Sequence, residues 1–305
     1  MQDKIKHLLS EIQTGSYKAL ARGITLVENE LNGYEELLLS LPHIYEAKVV
    51  GITGPPGAGK STLVNALLHH WIKAGKRIAV IAVDPSSPFN FGAVLGDRIR
   101  MSDFYNHPNV YIRSLASRGA LGGLNAKILE ITDLIKAAPF DYILVETVGV
   151  GQSEVEIAGL ADCTVVTLVP EAGDEVQTMK AGIMEIANIF VVNKADRDLA
   201  DTMYRSLRIL VHEKANGKQE IPVIKTIATS NIGLAELAES VDGFLKNYHA
   251  LSEFRLHLLT EKSWQLIQAE KMKNISKGRL REDLQQAMKQ DNFNLYAFIR
   301  KNSLS

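Results

Sequence analysis

Residues 54–62 read Gly54-Pro55-Pro56-Gly57-Ala58-Gly59-Lys60-Ser61-Thr62, and this run limits the fold more than any other part of the chain. It fits G-x-x-x-x-G-K-[ST] at every fixed position. The apolar run Val49-Val50-Gly51-Ile52 precedes it and a helical segment, Leu63 to Trp71, follows. Between a strand and a helix, glycines let the backbone curl so that successive N–H groups point inward at phosphate oxygens. The start of the helix adds its dipole to that cradle. In such a loop all nine residues line the nucleotide, Lys60 reaches the β- and γ-phosphates, and the Ser61 hydroxyl ligates Mg²⁺.

The segments around this loop set the fold class. Short β-branched runs alternate with helix-length stretches from 48 to 247. The runs are Val49–Ile52, Ile78–Val83, Val110–Ile112, Tyr142–Val145, Thr164–Val169, Ile189–Val192 and Val223–Ile224. Several are apolar on both faces, as strands of a parallel sheet covered by helices must be. The expectation is an α/β P-loop NTPase, a doubly wound, mostly parallel sheet flanked by helices. Residues 1–47 read as a helical extension with breaks at Gly15-Ser16 and Asn32-Gly33. Residues 248–305 read as helices again. There Leu256, Leu259, Trp264, Leu266 and Ile267 precede a basic stretch from Lys271 to Arg281, and a last helix is expected to bury Phe293, Leu295, Tyr296, Phe298 and Ile299.

Further motifs fall where a P-loop fold needs them. Asn193-Lys194-Ala195-Asp196 follows an apolar run. A carboxylate at a strand end accepts two hydrogen bonds from guanine N1–H and its 2-amino group, and adenine offers neither, so Asp196 selects GTP. The next apolar run leads into Ala228-Thr229-Ser230, the expected backbone wall behind the base. Glu146-Thr147-Val148-Gly149 follows Tyr142–Val145. Glu146 then faces Mg²⁺ from a strand tip, reaching it directly or through water, and the Gly149 N–H bonds the γ-phosphate. Asp84, in Asp84-Pro85-Ser86-Ser87, ends the second run on the metal side. Asp97 is a candidate ligand in a switch loop. Both aspartates are read as metal ligands, with helix or turn capping as the alternative. Arg113 and Arg118 flank a glycine-bearing loop, either as arginine fingers or, preferred here, as residues that position switches or pair with carboxylates.

Composition narrows the partners. Lys plus Arg is 34 against 35 Asp plus Glu, so neither nucleic acid nor an anionic membrane is the expected partner. With Cys163 as the lone cysteine, no intramolecular disulfide and no Cys-rich metal cluster can form. The opening MQDKIKHLLSEIQ has no uninterrupted apolar core, and no run of about 18 apolar residues exists, so the expected location is cytoplasmic.

Taken together, GPPGAGKST, AVDPSSP, GDRIRM, IRSLASRG with GALGG, ETVGVGQSE, PEAGDEVQTMKAGIMEIA and NKAD resemble the MeaB/ArgK/MMAA family. The resemblance runs from Leu20 to about residue 250 and is weaker in the C-terminal helices. It implies a metallochaperone-type GTPase that gates adenosylcobalamin transfer into a B12-dependent acyl-CoA mutase, methylmalonyl-CoA mutase first. It implies GTP/GDP and Mg²⁺ as ligands, a homodimer joined through the helical extensions, and turnover that is slow alone and faster with the mutase. Glu146 is the family's mark. A third switch maps onto about Pro170 to Lys180, in which Lys180 matches a lysine thought to assist hydrolysis. A cation there would neutralise charge developing in the transition state. From the sequence alone, Lys180 reads as a solvated helix lysine. Lys60, Glu146 and Lys180 are thus the expected catalytic groups. The D-x-H-x-x-G loop of cobalamin-binding domains is missing, so no tightly held cobalamin is expected.

Two other classes compete on the same fold. A nickel- or zinc-insertion GTPase needs Cys/His clusters, whereas the eight histidines are scattered with only His69-His70 adjacent. A kinase or transport ATPase needs an acceptor site and an adenine preference, against which Asp196 argues.

Overall fold

The computed structural model describes residues 2–42, 46–84, 101–116, 125, 127–147, 154–172, 183–215, 220–246, 253–272, 275–289 and 293–303. Three helices open the chain: α1 (Gln2–Gln13), α2 (Tyr17–Glu28) and α3 (Tyr34–Leu39). Ser16 starts α2 by accepting a hydrogen bond from the Ala19 N–H at 3.3 Å, a cap that contributes about 1 kcal/mol.

The seven strands among the described residues are β1 (Lys48–Thr53), β2 (Ile78–Asp84), β3 (Val110–Ala116), β4 (Tyr142–Glu146), β5 (Cys163–Leu168), β6 (Ile189–Asn193) and β7 (Val223–Thr226). Their order is β3-β2-β4-β1-β5-β6-β7 and every neighbouring pair is parallel. Parallel neighbours need crossover connections. The described helices of those connections are α4 (Lys60–Lys73), α5 (Ile128–Lys136), α6 (Glu154–Leu160), α7 (Ile183–Ile186) and α8 (Ala200–Ala215), and α9 (Leu234–Lys246) follows β7.

Alternation along the strands divides the interior into two cores. Val49, Ala79, Ile81, Ile143, Val145, Phe190 and Val192 join one apolar cluster, which also takes Ile5, Leu9 and Ile12 of α1, Leu20 and Ile24 of α2, and Ile131 and Ile135 of α5. Val50, Ile52, Ile78, Val80, Leu144 and Val191 join the other, with Leu63 and Leu67 of α4 and Leu237 and Val241 of α9. Side chains two residues apart share a face, so a strand between two helical layers must be apolar at every position. Each fully buried aliphatic side chain here contributes roughly 1.5–3 kcal/mol.

The strand expected over Val110–Ile112 runs on to Ala116. Arg113 and Ser114 interrupt the apolar run, but the strand pairs with β2 along its whole length. Arg113 is accommodated because its guanidinium donates to Glu28 of α2 at 2.7 Å. Lys127, before α5, pairs with Glu30 at 2.7 Å and Glu130 at 3.6 Å. The Tyr17 hydroxyl donates to the Pro108 carbonyl at 2.7 Å. Apolar packing and polar ties together join the first three helices to the sheet.

The chain forms two compact units, Met1–Ala250 and Leu251–Ser305. The second holds α10 (Glu253–Met272), α11 (Lys277–Ala287) and α12 (Leu295–Ser303). The expectation that the last helix buries its apolar side chains is corrected: Leu295, Tyr296 and Ile299 are exposed, and only Phe293 and Phe298 are partly covered, their ring centroids 6.4 Å apart. No residue of α11 is fully buried, and its apolar positions Leu280, Leu284 and Ala287 are half-buried.

Candidate nucleotide site

The phosphate loop joins β1 to α4. Gly54 has φ +141°, and a Cβ there would lie 2.0 Å from the Thr167 carbonyl oxygen of β5, so only glycine fits. Gly59 has φ +82°, and a Cβ would lie 2.6 Å from Asn193 Nδ2. Glycine at 59 therefore admits the β6 loop to the phosphate loop. Gly59 is also the residue before α4 and makes no side-chain cap, which leaves the first N–H groups of the helix aimed at the loop. Gly54, Pro55, Ala58, Lys60 and Ser61 are buried, Gly59 and Thr62 half-buried, Pro56 and Gly57 exposed. The Lys60 ammonium donates to the Gly54 and Pro55 carbonyls at 2.9 and 3.1 Å, which holds it over the loop.

Behind the loop, the Ser61 hydroxyl donates to Glu146 Oε1 at 2.6 Å, and both side chains are buried. Glu146 ends β4, where it is in register with Ile52 of β1 and Ala82 of β2. The Thr147 N–H continues the β1 pairing to the Ile52 carbonyl at 3.1 Å, and its hydroxyl meets that of Thr53 at 2.9 Å. These bonds fix the backbone on which Glu146 stands. Asp84 closes β2 in register with Ala116, two residues beyond the row that holds Glu146. A hydroxyl and a carboxylate at adjacent strand and helix ends are the hard oxygen donors that suit Mg²⁺. Gly149, Asp97, Lys180 and Arg118 lie outside the described residues.

The base side is assembled around Asn193. Its amide donates to the Ala58 carbonyl at 2.9 Å, while its Oδ1 accepts from Thr226 Oγ1 at 3.0 Å and from the Ala228 N–H at 3.3 Å. Lys194, at φ +55°, donates to the Gly57 carbonyl at 2.8 Å. Asp196 is exposed and its carboxylate bonds nothing among the described residues. Ala228 is buried and Thr229 exposed in the 3-10 turn Ala228–Ser230 that follows β7. The fold thus brings residues 54–62, Glu146, Asn193 to Asp196 and Ala228 to one edge of the sheet, the carboxyl ends of its strands, where ligands of open α/β sheets bind.

Motif reading missed several of these supports. Thr53 and Thr226 lie beside recognised motifs and Thr147 within one, but their partners are far along the chain. Arg113 is paired with a carboxylate, one of the two preferred readings. Cys163 is buried in β5, and burial first, with Asp162 beside it, raises its thiol pKa, away from the thiolate form that reacts. His69 is exposed and packs on the Phe104 ring at 4.6 Å.

Known proteins resemble this chain over most of its length. A Pyrococcus abyssi protein that carries a GTPase name is 45% identical over 265 residues, 84% of this chain and 82% of the relative. The mouse mitochondrial methylmalonic aciduria type A homolog is 34% identical over 297 residues, 88% of this chain and 71% of its own. The crystal structure of a LAO/AO transport system kinase superposes with a TM-score of 0.70 at 26% identity, covering 99% of this chain and 97% of that one. The sequence model described as methylmalonyl Co-A mutase-associated GTPase MeaB matches residues 20–287, and the chain belongs to that family.

Proposed function

We propose that this GTPase gates the loading of adenosylcobalamin into a B12-dependent acyl-CoA mutase, methylmalonyl-CoA mutase first, and protects that enzyme. The observation that carries the reading is the 2.6 Å contact between Ser61 and Glu146, because it ties the phosphate loop to the strand tip from which a switch would leave. The family description and the mouse relative's name support the mutase as partner.

In this reading the loop amides and Lys60 hold the phosphates, and Asp196 reads guanine. Ser61, Glu146, Asp84 and Asp97 would hold Mg²⁺, which when bound neutralises charge on the β- and γ-phosphates. Glu146 keeps the Ser61 hydroxyl oriented, and the Thr53–Thr147 contact keeps Glu146 in place. The Gly149 N–H then senses the γ-phosphate. Lys180 approaches the transferring phosphoryl group when the mutase docks, so turnover is slow alone and faster in complex. The protein acts in the cytoplasm, holds no cobalamin tightly itself, and pairs as a homodimer through residues 248–305.

GTP turnover measured with and without the mutase tests the reading. The expected result is acceleration by the mutase, retained nucleotide binding in Glu146→Ala, and loss of the acceleration in that variant. Equal rates with and without the mutase would remove the gating role.

A further inference from the structure

The loop after β6 is held by contacts that the base-reading residues do not explain. Lys194 at φ +55° and Leu199 at φ +68° are left-handed without being glycine, a conformation that persists only where its surroundings over-determine it. Backbone bonds fix its two ends: the Ala195 N–H to the Thr226 carbonyl at 3.0 Å and the Ala200 N–H to the Arg197 carbonyl at 3.3 Å. Between them stands exposed Asp196. Its neighbour Arg197 reaches out of the loop and donates to Glu171, in the 3-10 turn Pro170–Ala172 that leaves β5. The Arg197 hydrogen bond first, with Lys194 as a further nearby cation, holds the Glu171 carboxyl below the usual carboxylate range. Lys194 in turn bonds the Gly57 carbonyl. Lys194 therefore ties the base loop to the phosphate loop, and Arg197 ties it to the exit turn of the neighbouring strand.

We propose that Arg197 is a positioning residue for the base. Paired with Glu171, it holds residues 194–199 in the arrangement that presents Asp196, and so prolongs the residence of bound guanine nucleotide. The proposal rests on the nucleotide reading above. Arg197 touches no part of the base in this scheme and acts only through the loop. The pair is about half exposed at each partner, 48% and 54%, so its effect is modest and sensitive to salt.

The test is the dissociation rate of a fluorescent GDP from the full chain, displaced by excess GDP. Arg197→Ala and Glu171→Ala should each release it about two- to fivefold faster. The double alanine variant should be no faster than either single one, because both remove the same contact. Exchanging the charges, with Glu171→Arg and Arg197→Glu together, should return the rate toward that of the unaltered protein. The acceleration should shrink in 1 M salt. A surface contact with a purely structural role would shift the melting temperature without this rate pattern. Single variants at the unaltered rate, or accelerations that multiply in the double variant, would overturn the latch alone. Failure of the unaltered protein to bind GDP would overturn the nucleotide reading and the latch with it.

Discussion

Asn193 spends all its described side-chain hydrogen bonds on the protein, and Asp196 spends none. The asparagine joins three segments, the phosphate loop at Ala58, β7 at Thr226 and the following turn at Ala228. Removing it would leave buried partners unpaired and act on the whole site. The aspartate can be altered without disturbing that joint. Asp196→Asn exchanges an acceptor for a donor at one edge of the base. GTP affinity should fall roughly a hundredfold, because the bond from the 2-amino group is lost and the bond from N1–H no longer meets a charged acceptor. Xanthosine triphosphate, which carries a carbonyl acceptor in place of the 2-amino donor, should gain. Competition binding of the two nucleotides to the variant measures both, and an unchanged preference would sink the assignment of the base.

At the scale of elements, the two ends of the sheet have different tasks. The carboxyl ends of the strands carry the site, and the amino ends are tied together by structural contacts. Asp141, just before β4, accepts from the Arg77 N–H at 2.8 Å and from Lys76 at 2.9 Å, which joins the starts of β2 and β4. Partial burial opposes ionisation of Asp141, but the Arg77 amide and the Lys76 ammonium outweigh it and hold the carboxyl below its ordinary value of 3.8. A depressed folded pKa contributes stability above the unfolded value and loses it as the pH falls through the folded one. Asp141→Asn should therefore lower the melting temperature at pH 7. The gap to the unaltered protein should narrow as the pH falls below about 4, the unfolded value, and close only once the pH is below the depressed folded value. A gap that stays constant from pH 7 to pH 3 would contradict this account.

The same scale shows what the sequence disclosed. Contiguous apolar runs revealed the seven strands among the described residues, because a strand covered on both faces must be apolar at consecutive positions. The length of β3 was hidden by Arg113, whose polarity makes sense only when α2 brings Glu28 against it. At the site, residues 54–62 and 193–196 were legible because each motif concentrates its chemistry in a few neighbouring positions. The supports were not. Thr226 is 33 residues from Asn193 and Thr147 is 94 from Thr53, so only the strand order brings these hydroxyls to their partners.

The whole molecule has one unit built on a sheet and another that leaves much of its apolar surface uncovered. Leu256, Trp264 and Ile267 of α10 are each at least half exposed, at 51%, 60% and 52%. In the proposed dimer these are the side chains that a second copy would cover. Replacing Trp264 and Ile267 together by aspartate should convert a dimer to single chains in light scattering, with GDP binding retained. Single chains already present in the unaltered protein would refute dimerisation through this unit.

The placement of the two tryptophans has a consequence for spectroscopy. Trp71 of α4 is 2% exposed and stacks on Tyr142 at 4.6 Å in the sheet unit, while Trp264 is 60% exposed in the helical one. Each unit thus carries a single indole fluorophore, one shielded from aqueous quenchers and one open to them. The intrinsic emission of the unlabelled protein can therefore report on the two units separately.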